Sequence, residues 1–142
     1  MPTAIPVWQT SSTWTANYLA KGLSPNTSYQ FSVIGRNEDG ILTDISTQRA
    51  AKYTLASDPY SVLATVDSQT QITLSWNRDA TSSYAENITA STTSGWISGT
   101  STIFSGLTCN TTYSFRVKAI NGEGVETSWS SIVSSLTSAC SV

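Results

Sequence analysis

An all-β fold, repeated once along the chain, is what this sequence predicts, and three observations predict it. Residues 22–40 read GLSPNTSYQFSVIGRNEDG and residues 106–124 read GLTCNTTYSFRVKAINGEG, a match at an offset of 84 residues with no gap. A self-match at a domain-sized period marks duplicated modules. Large apolar residues alternate with small polar ones in short runs, the period of a half-buried strand. Gly, Asn and Pro interrupt these runs at regular spacing, and no stretch combines helical periodicity with capping signals. Short strands between such turns build an antiparallel β-sandwich.

The elements follow in chain order. Residues 4–8 (Ala-Ile-Pro-Val-Trp) and 16–20 (Ala-Asn-Tyr-Leu-Ala) are candidate strands. A Ser24-Pro-Asn-Thr27 turn leads into a strand over 28–34, and Asn37-Glu-Asp-Gly40 turns the chain again. Ser57-Asp-Pro-Tyr60 marks a boundary, because proline suits a module start or an edge where no ladder donor is needed. The chain therefore divides into 1–57 and 58–142. In the second part, Gln71–Trp76 places Ile72, Leu74 and Trp76 on one strand face. Residues 77–101 are poorly patterned, and Thr102–Ser105 is a short strand. Thr112–Ala119 alternates like its counterpart at 28–34, and Asn121-Gly-Glu-Gly124 turns it.

Composition bounds the function. With 9 acidic and 7 basic residues and a net charge of −2, the chain lacks the concentrated basic footprint of a nucleic-acid binder. It also lacks a polybasic membrane-surface patch. No apolar run approaches the ~20 residues that span a bilayer. Residues 1–20 show no charged start followed by an apolar block, so no signal peptide is read there, although a mature secreted protein would have lost one. Ser and Thr supply roughly a third of the residues, far above ordinary usage. Hydroxyls alternating with aliphatics suit strands with one wet face, and this composition points outside the cell.

Both repeats resemble fibronectin type III modules. The pattern Leu107-x-x-Asn110-Thr-x-Tyr113-x-Phe115-x-Val117-x-Ala119-x-Asn121-x-x-Gly124 is similar to that family's penultimate strand with the turn on either side, and Leu23 to Gly40 repeats it. Ile72-Thr-Leu-Ser-Trp76 resembles the family's second strand, so Trp76 is expected between the sheets. The resemblance also implies a tyrosine corner at Tyr29 and at Tyr113. The expected fold class is thus all-β, with tandem immunoglobulin-like (fibronectin type III-like) β-sandwiches: an incomplete module at 1–57 and a complete one at 58–142.

The first repeat departs from the pattern. At the offset of 84, Met1 corresponds to Ala85, so nothing matches residues 58–84. A half-module of this kind leaves an inner face and an edge open. Three readings stay open: the strands lie in preceding sequence, a neighbouring subunit donates them, or residues 1–21 fold in another way. A head-to-tail contact that does not close into a ring propagates into a filament.

Chemistry has few carriers. The chain has no histidine, which removes the usual general base and the commonest metal ligand. No nucleophile elbow or phosphate-binding glycine loop occurs. Glu38, Asp39 and Glu123 sit in the two turns, with Asp44 and Glu126 following, and fall short of the six to eight oxygens of a calcium site. They read as solvated turns. No enzyme activity, cofactor or metal is expected.

Cys109 takes the place of Pro25 in the repeated turn, and Cys140 lies just past the last strand. In the resembled fold these positions share a pole, so the resemblance implies a Cys109–Cys140 disulfide. Closing that loop of roughly 30 residues is worth about 3–4 kcal/mol in the chain-entropy model. Reduced thiols and bridges to other chains are the alternatives. Sequons occur at Asn26, Asn87 and Asn110. Asn26 and Asn110 also suit a turn as such, whereas Asn87 has surroundings that look exposed. Trp96 and Trp129 are read as partly buried on a sandwich face, with Trp8 and Trp14 belonging to the half-module.

The expected function is a non-catalytic extracellular structural module of a surface repeat protein or self-assembling filament. Its partners would be other copies of itself or adjacent modules, with glycans at the sequons and neither nucleic acid nor a membrane span. The alternatives are a ligand-binding adhesin or receptor segment and an accessory spacer of a secreted polysaccharide-degrading enzyme. One sandwich hosts all three.

Overall fold

The structure, a computed structural model, describes residues 19–46 and 50–141. Its strands are β1 (Ser28–Phe31), β2 (Ala50–Tyr53), β3 (Tyr60–Val66), β4 (Gln71–Asn77), β5 (Ser82–Asn87), β6 (Thr92–Ile97), β7 (Ser101–Ser105), β8 (Thr112–Ile120) and β9 (Val133–Leu136). There is no helix among the described residues. All pairings are antiparallel, and they form a two-stranded sheet β1-β2, a three-stranded sheet β3-β4-β7 and a four-stranded sheet β6-β5-β8-β9.

The two larger sheets pack face to face as a sandwich over residues 58–138. From β4 the period of two sends Ile72, Leu74 and Trp76 inward; from β8 it sends Tyr113, Phe115, Val117 and Ala119. Phe104 of β7 meets Phe115 with ring centroids 5.2 Å apart. Each such fully buried large side chain contributes about 1.5–3 kcal/mol of apolar burial. Trp76 lies in the core, and its indole Nε1 donates to Ser83 Oγ at 3.0 Å, so its one polar atom is satisfied.

Four strands of the sandwich carry weaker patterns. The inward residues of β5 are Ser83, Ala85 and Asn87, all buried, which gives no apolar alternation to read. Strand β3 lies at a sheet edge and is broken by an irregularity between Tyr60 and Leu63, where Ser61 has φ +53°. Strand β6 is an edge of the four-stranded sheet, with left-handed backbone at Gly95 (φ +65°), and β9 is only Val133–Leu136.

The first repeat forms a shorter element than the sequence predicts. Strand β1 ends at Phe31, not at 34, whereas its counterpart β8 runs to Ile120. The difference has a cause in pairing. Strand β9 covers only Thr112–Phe115, and the rest of β8 is held by β5, which pairs with Phe115–Ile120. Strand β1 has β2 on one side and no partner on the other among the described residues. Leu19 and Ala20 are not in a strand; the remaining candidate strand residues 4–8 and 16–18, with Trp8 and Trp14, lie outside the described residues.

Candidate functional site

The repeated turn is built the same way twice. Tyr29 Oη accepts a hydrogen bond from Ser24 N and Tyr113 Oη accepts one from Thr108 N, both at 2.9 Å. Both tyrosines are buried. Thr54 Oγ1 accepts from Thr27 N and donates to Ser24 O; Thr137 Oγ1 does the same with Thr111 N and Thr108 O. Asn26 and Asn110 take left-handed backbone at φ +43° and +49°, a conformation asparagine tolerates better than most residues.

The surroundings of the two turns differ. The first abuts the turn after β8, and the contact is a junction between the β1–β2 unit and the sandwich. Gly122 N donates to Asn26 Oδ1 at 2.9 Å, and Asn121 Nδ2 donates to Thr54 O at 3.1 Å. Tyr53 N donates to a Glu123 carboxylate oxygen at 3.3 Å, and Lys52 Nζ lies 3.4 Å from the other. The ring of Tyr53 covers Gly122 so closely that a Cβ there would lie 2.5 Å from Cε1 and Cζ. Asn121 is itself buried, with its Oδ1 accepting from Glu123 N and Val125 N. Past the junction, Asp58 Oδ1 accepts from Ser128 N at 3.0 Å and ties the connecting segment down.

This junction corrects the expectation that Glu123 belongs to a merely solvated turn. Glu126 is also engaged, pairing with Lys118 at 2.7 Å. Glu38 and Asp39 are exposed. No group of three or more metal-ligating side chains occurs among the described residues. The sequence reading missed Lys52, Tyr53, Thr54, Asn121 and Gly122 as contact residues. One signal was available: Gly122 stands where the first repeat has Glu38, at a turn otherwise kept.

The second turn carries a disulfide in place of a docked neighbour. Cys109 and Cys140 are bonded, with Cα atoms 5.1 Å apart, within the ordinary range. The sequons fall into three environments. Asn110 is exposed and Asn26 half-buried at the junction. Asn87 is buried, contrary to the exposed surroundings expected of it: its Oδ1 accepts from Ala90 N at 3.0 Å and its Nδ2 is sealed without a partner. It faces the core because β5 spends its inward positions on small and polar residues.

Trp96 and Trp129 sit with Tyr84 on the outer face of the four-stranded sheet. The Tyr84 ring lies 5.3 Å from Trp96 and 6.3 Å from Trp129. Arg116 Cζ stacks 4.1 Å over Trp129, and Lys118 Nζ lies 5.0–5.6 Å from all three rings. Glu86 and Glu126 pair with the two cations at 2.5 and 2.7 Å. The group is an internally neutralised ladder bracing β5, β6, β8 and the segment before β9.

The family model for the fibronectin type III domain matches residues 57–135, more than half of the chain. The chain belongs to the fibronectin type III family. Solved structures agree with this fold. The FN1–FN3 domains of chicken CNTN1 are 23% identical with a TM-score of 0.50, over 85% of this chain and 44% of that one. The fn3 domain of human contactin 1 is 18% identical with a TM-score of 0.51, over 61% of this chain and 81% of that one. A Yersinia enterocolitica family 28 exopolygalacturonase is 18% identical with a TM-score of 0.50, over 59% of this chain but 21% of the enzyme. At these identities the likeness is one of fold. No curated protein matches the chain.

Proposed function

We propose that this chain is a non-catalytic, extracellular spacer in which a fibronectin type III sandwich is held end to end against the final strands of a preceding module. The junction of Asn26, Tyr53 and Thr54 with Asn121-Gly-Glu123 is the observation that carries this reading. Backbone-directed hydrogen bonds and a ring seated on a glycine restrain the angle between two units more than a flexible linker would. A spacer works through that angle. The disulfide favours an oxidising compartment, and the family's usual non-catalytic role agrees with a chain that has no histidine.

Residues 1–57 are read as part of a module completed by other strands. Phe31 and Val33 are 46% and 60% exposed, whereas Phe115 and Val117 at the equivalent places are fully buried. Strands from preceding sequence or from a neighbouring chain of a surface repeat protein or filament would cover them.

Gly122→Ala tests the junction, since the new Cβ collides with the Tyr53 ring. Small-angle scattering of the chain should show a larger maximum dimension, with the circular dichroism of the sandwich unchanged. Tyr53→Ala added to Gly122→Ala should restore the original dimension. An unchanged scattering profile in Gly122→Ala would remove the junction as the basis of the function.

A further inference from the structure

We propose that Asn110 is the acceptor of an N-linked glycan. The inference rests on the extracellular reading above, because the glycosyl donor is met on the secretory route. A sequon alone says little, but the structure separates the three that this chain carries. The Asn87 amide group is sealed in the sandwich, with its oxygen bonded to Ala90 N and its nitrogen buried. Asn26 is wedged at the junction, with its oxygen held by Gly122 N. Asn110 is exposed at a turn tip with φ +49°.

The bonds that close this turn leave the Asn110 amide group aside. Its backbone N donates to Ser138 O at 3.0 Å, Thr111 N donates to Thr137 Oγ1, and Thr111 Oγ1 donates to Cys109 O. Thr112, which supplies the sequon hydroxyl, is exposed at the first position of β8. A glycan on Asn110 Nδ2 therefore extends into solvent with no bond of the turn broken. An independent observation points to the same compartment: the residue before the acceptor, Cys109, is disulfide-bonded to Cys140.

The reaction is a glycosyl transfer from an oligosaccharide linked to a lipid diphosphate. The bond from Nδ2 to sugar C1 forms, the bond from C1 to the diphosphate oxygen breaks, the lipid diphosphate leaves, and Nδ2 releases one proton. A consequence follows from the repeat. Asn26, at the equivalent position, is where the first unit touches the next turn. A glycan at Asn110 closes the corresponding pole of the sandwich to a junction of that kind.

The test is secretion of the 142-residue chain from eukaryotic cells behind a cleavable leader, followed by mass spectrometry before and after peptide N-glycosidase. The expected result is release of a glycan with conversion of residue 110 from Asn to Asp, and loss of that one glycan's mass in Thr112→Ala. That variant keeps Asn110 in its left-handed turn, so the test does not depend on the turn surviving Asn110→Gln. A secreted, disulfide-bonded chain in which residue 110 is unmodified would overturn the inference and leave the extracellular reading standing. A chain retained in the cell with free thiols would overturn both.

Discussion

Residues 22–46 and 106–130 are held by the same hydrogen bonds yet end in opposite environments. Beyond the tyrosine corners, Asn37 N to Ile41 O matches Asn121 N to Val125 O, Thr43 N to Gly35 O matches Thr127 N to Ala119 O, and Ser46 N to Val33 O matches Ser130 N to Val117 O. The glycines agree as well, with φ of +71° at Gly22 and Gly106 and +83° and +80° at Gly40 and Gly124. Burial does not follow. Phe115, Val117 and Ala119 are sealed, while Phe31 and Val33 are largely open. Turns and local ladders are written within a short window. Burial is decided by what lies opposite, and among the described residues the β3-β4-β7 sheet lies opposite the second repeat and not the first.

The largest test of this comparison is truncation at equivalent positions. Phe115→Ala should destabilise the sandwich by about 3–5 kcal/mol, and Phe31→Ala should cost only about 1 kcal/mol because nearly half of that ring is already wet. Guanidinium unfolding followed by tryptophan fluorescence measures both. Equal losses would mean that Phe31 is covered in solution and that the two regions are alike after all.

Removing the disulfide sharpens the comparison, since only one repeat has it. Replacing Cys109 and Cys140 by Ser should lower the stability of the 58–138 sandwich by about 3 kcal/mol. Hydrogen exchange in β1 and β2 should be unchanged.

A smaller effect should be shared by the two regions. Tyr113→Phe leaves the half-buried Thr108 N–H without its acceptor, and Tyr29→Phe does the same to Ser24. Each loss should be about 1 kcal/mol, read as faster exchange at the orphaned amide. A loss at one corner and not the other would break the equivalence at its most local level.

The smallest effect is at the junction's ion pair. Lys52 is 70% exposed at its side chain, so Lys52→Ala should cost under about 1 kcal/mol, and less still at high salt. Titration of the scattering profile with salt checks this.

Much of the fold was legible where side chains obey a period. Strands β4 and β8 alternate cleanly, with Ile72, Leu74 and Trp76 inward from one and Tyr113, Phe115, Val117 and Ala119 from the other, and their bounds differ from the expected ones by one residue at the C-terminal end. Strand β5 was not legible, because Ser83, Ala85 and Asn87 carry no hydrophobic signal although all three are buried, Ser83 against Trp76 of the facing sheet. The same blindness made Asn87 look like an exposed sequon. The junction was illegible for a different reason. Asn26 and Gly122 are far apart in sequence, and the replacement of Glu38 by Gly122 in the second repeat marks a close approach there without naming what approaches.

By itself the sequence determined the turns and the strands with strong alternation, since each depends on contacts within a few residues, and its family resemblance implied the tyrosine corners. It also placed Cys109 in the repeated turn and Cys140 just past the last strand of the same module. Only the tertiary structure decided how far β1 and β8 extend, where the Asn87 amide goes, and that Tyr53 rests on Gly122. Those outcomes depend on what pairs with or packs against each residue, and a one-dimensional pattern does not name a partner supplied from elsewhere in the chain.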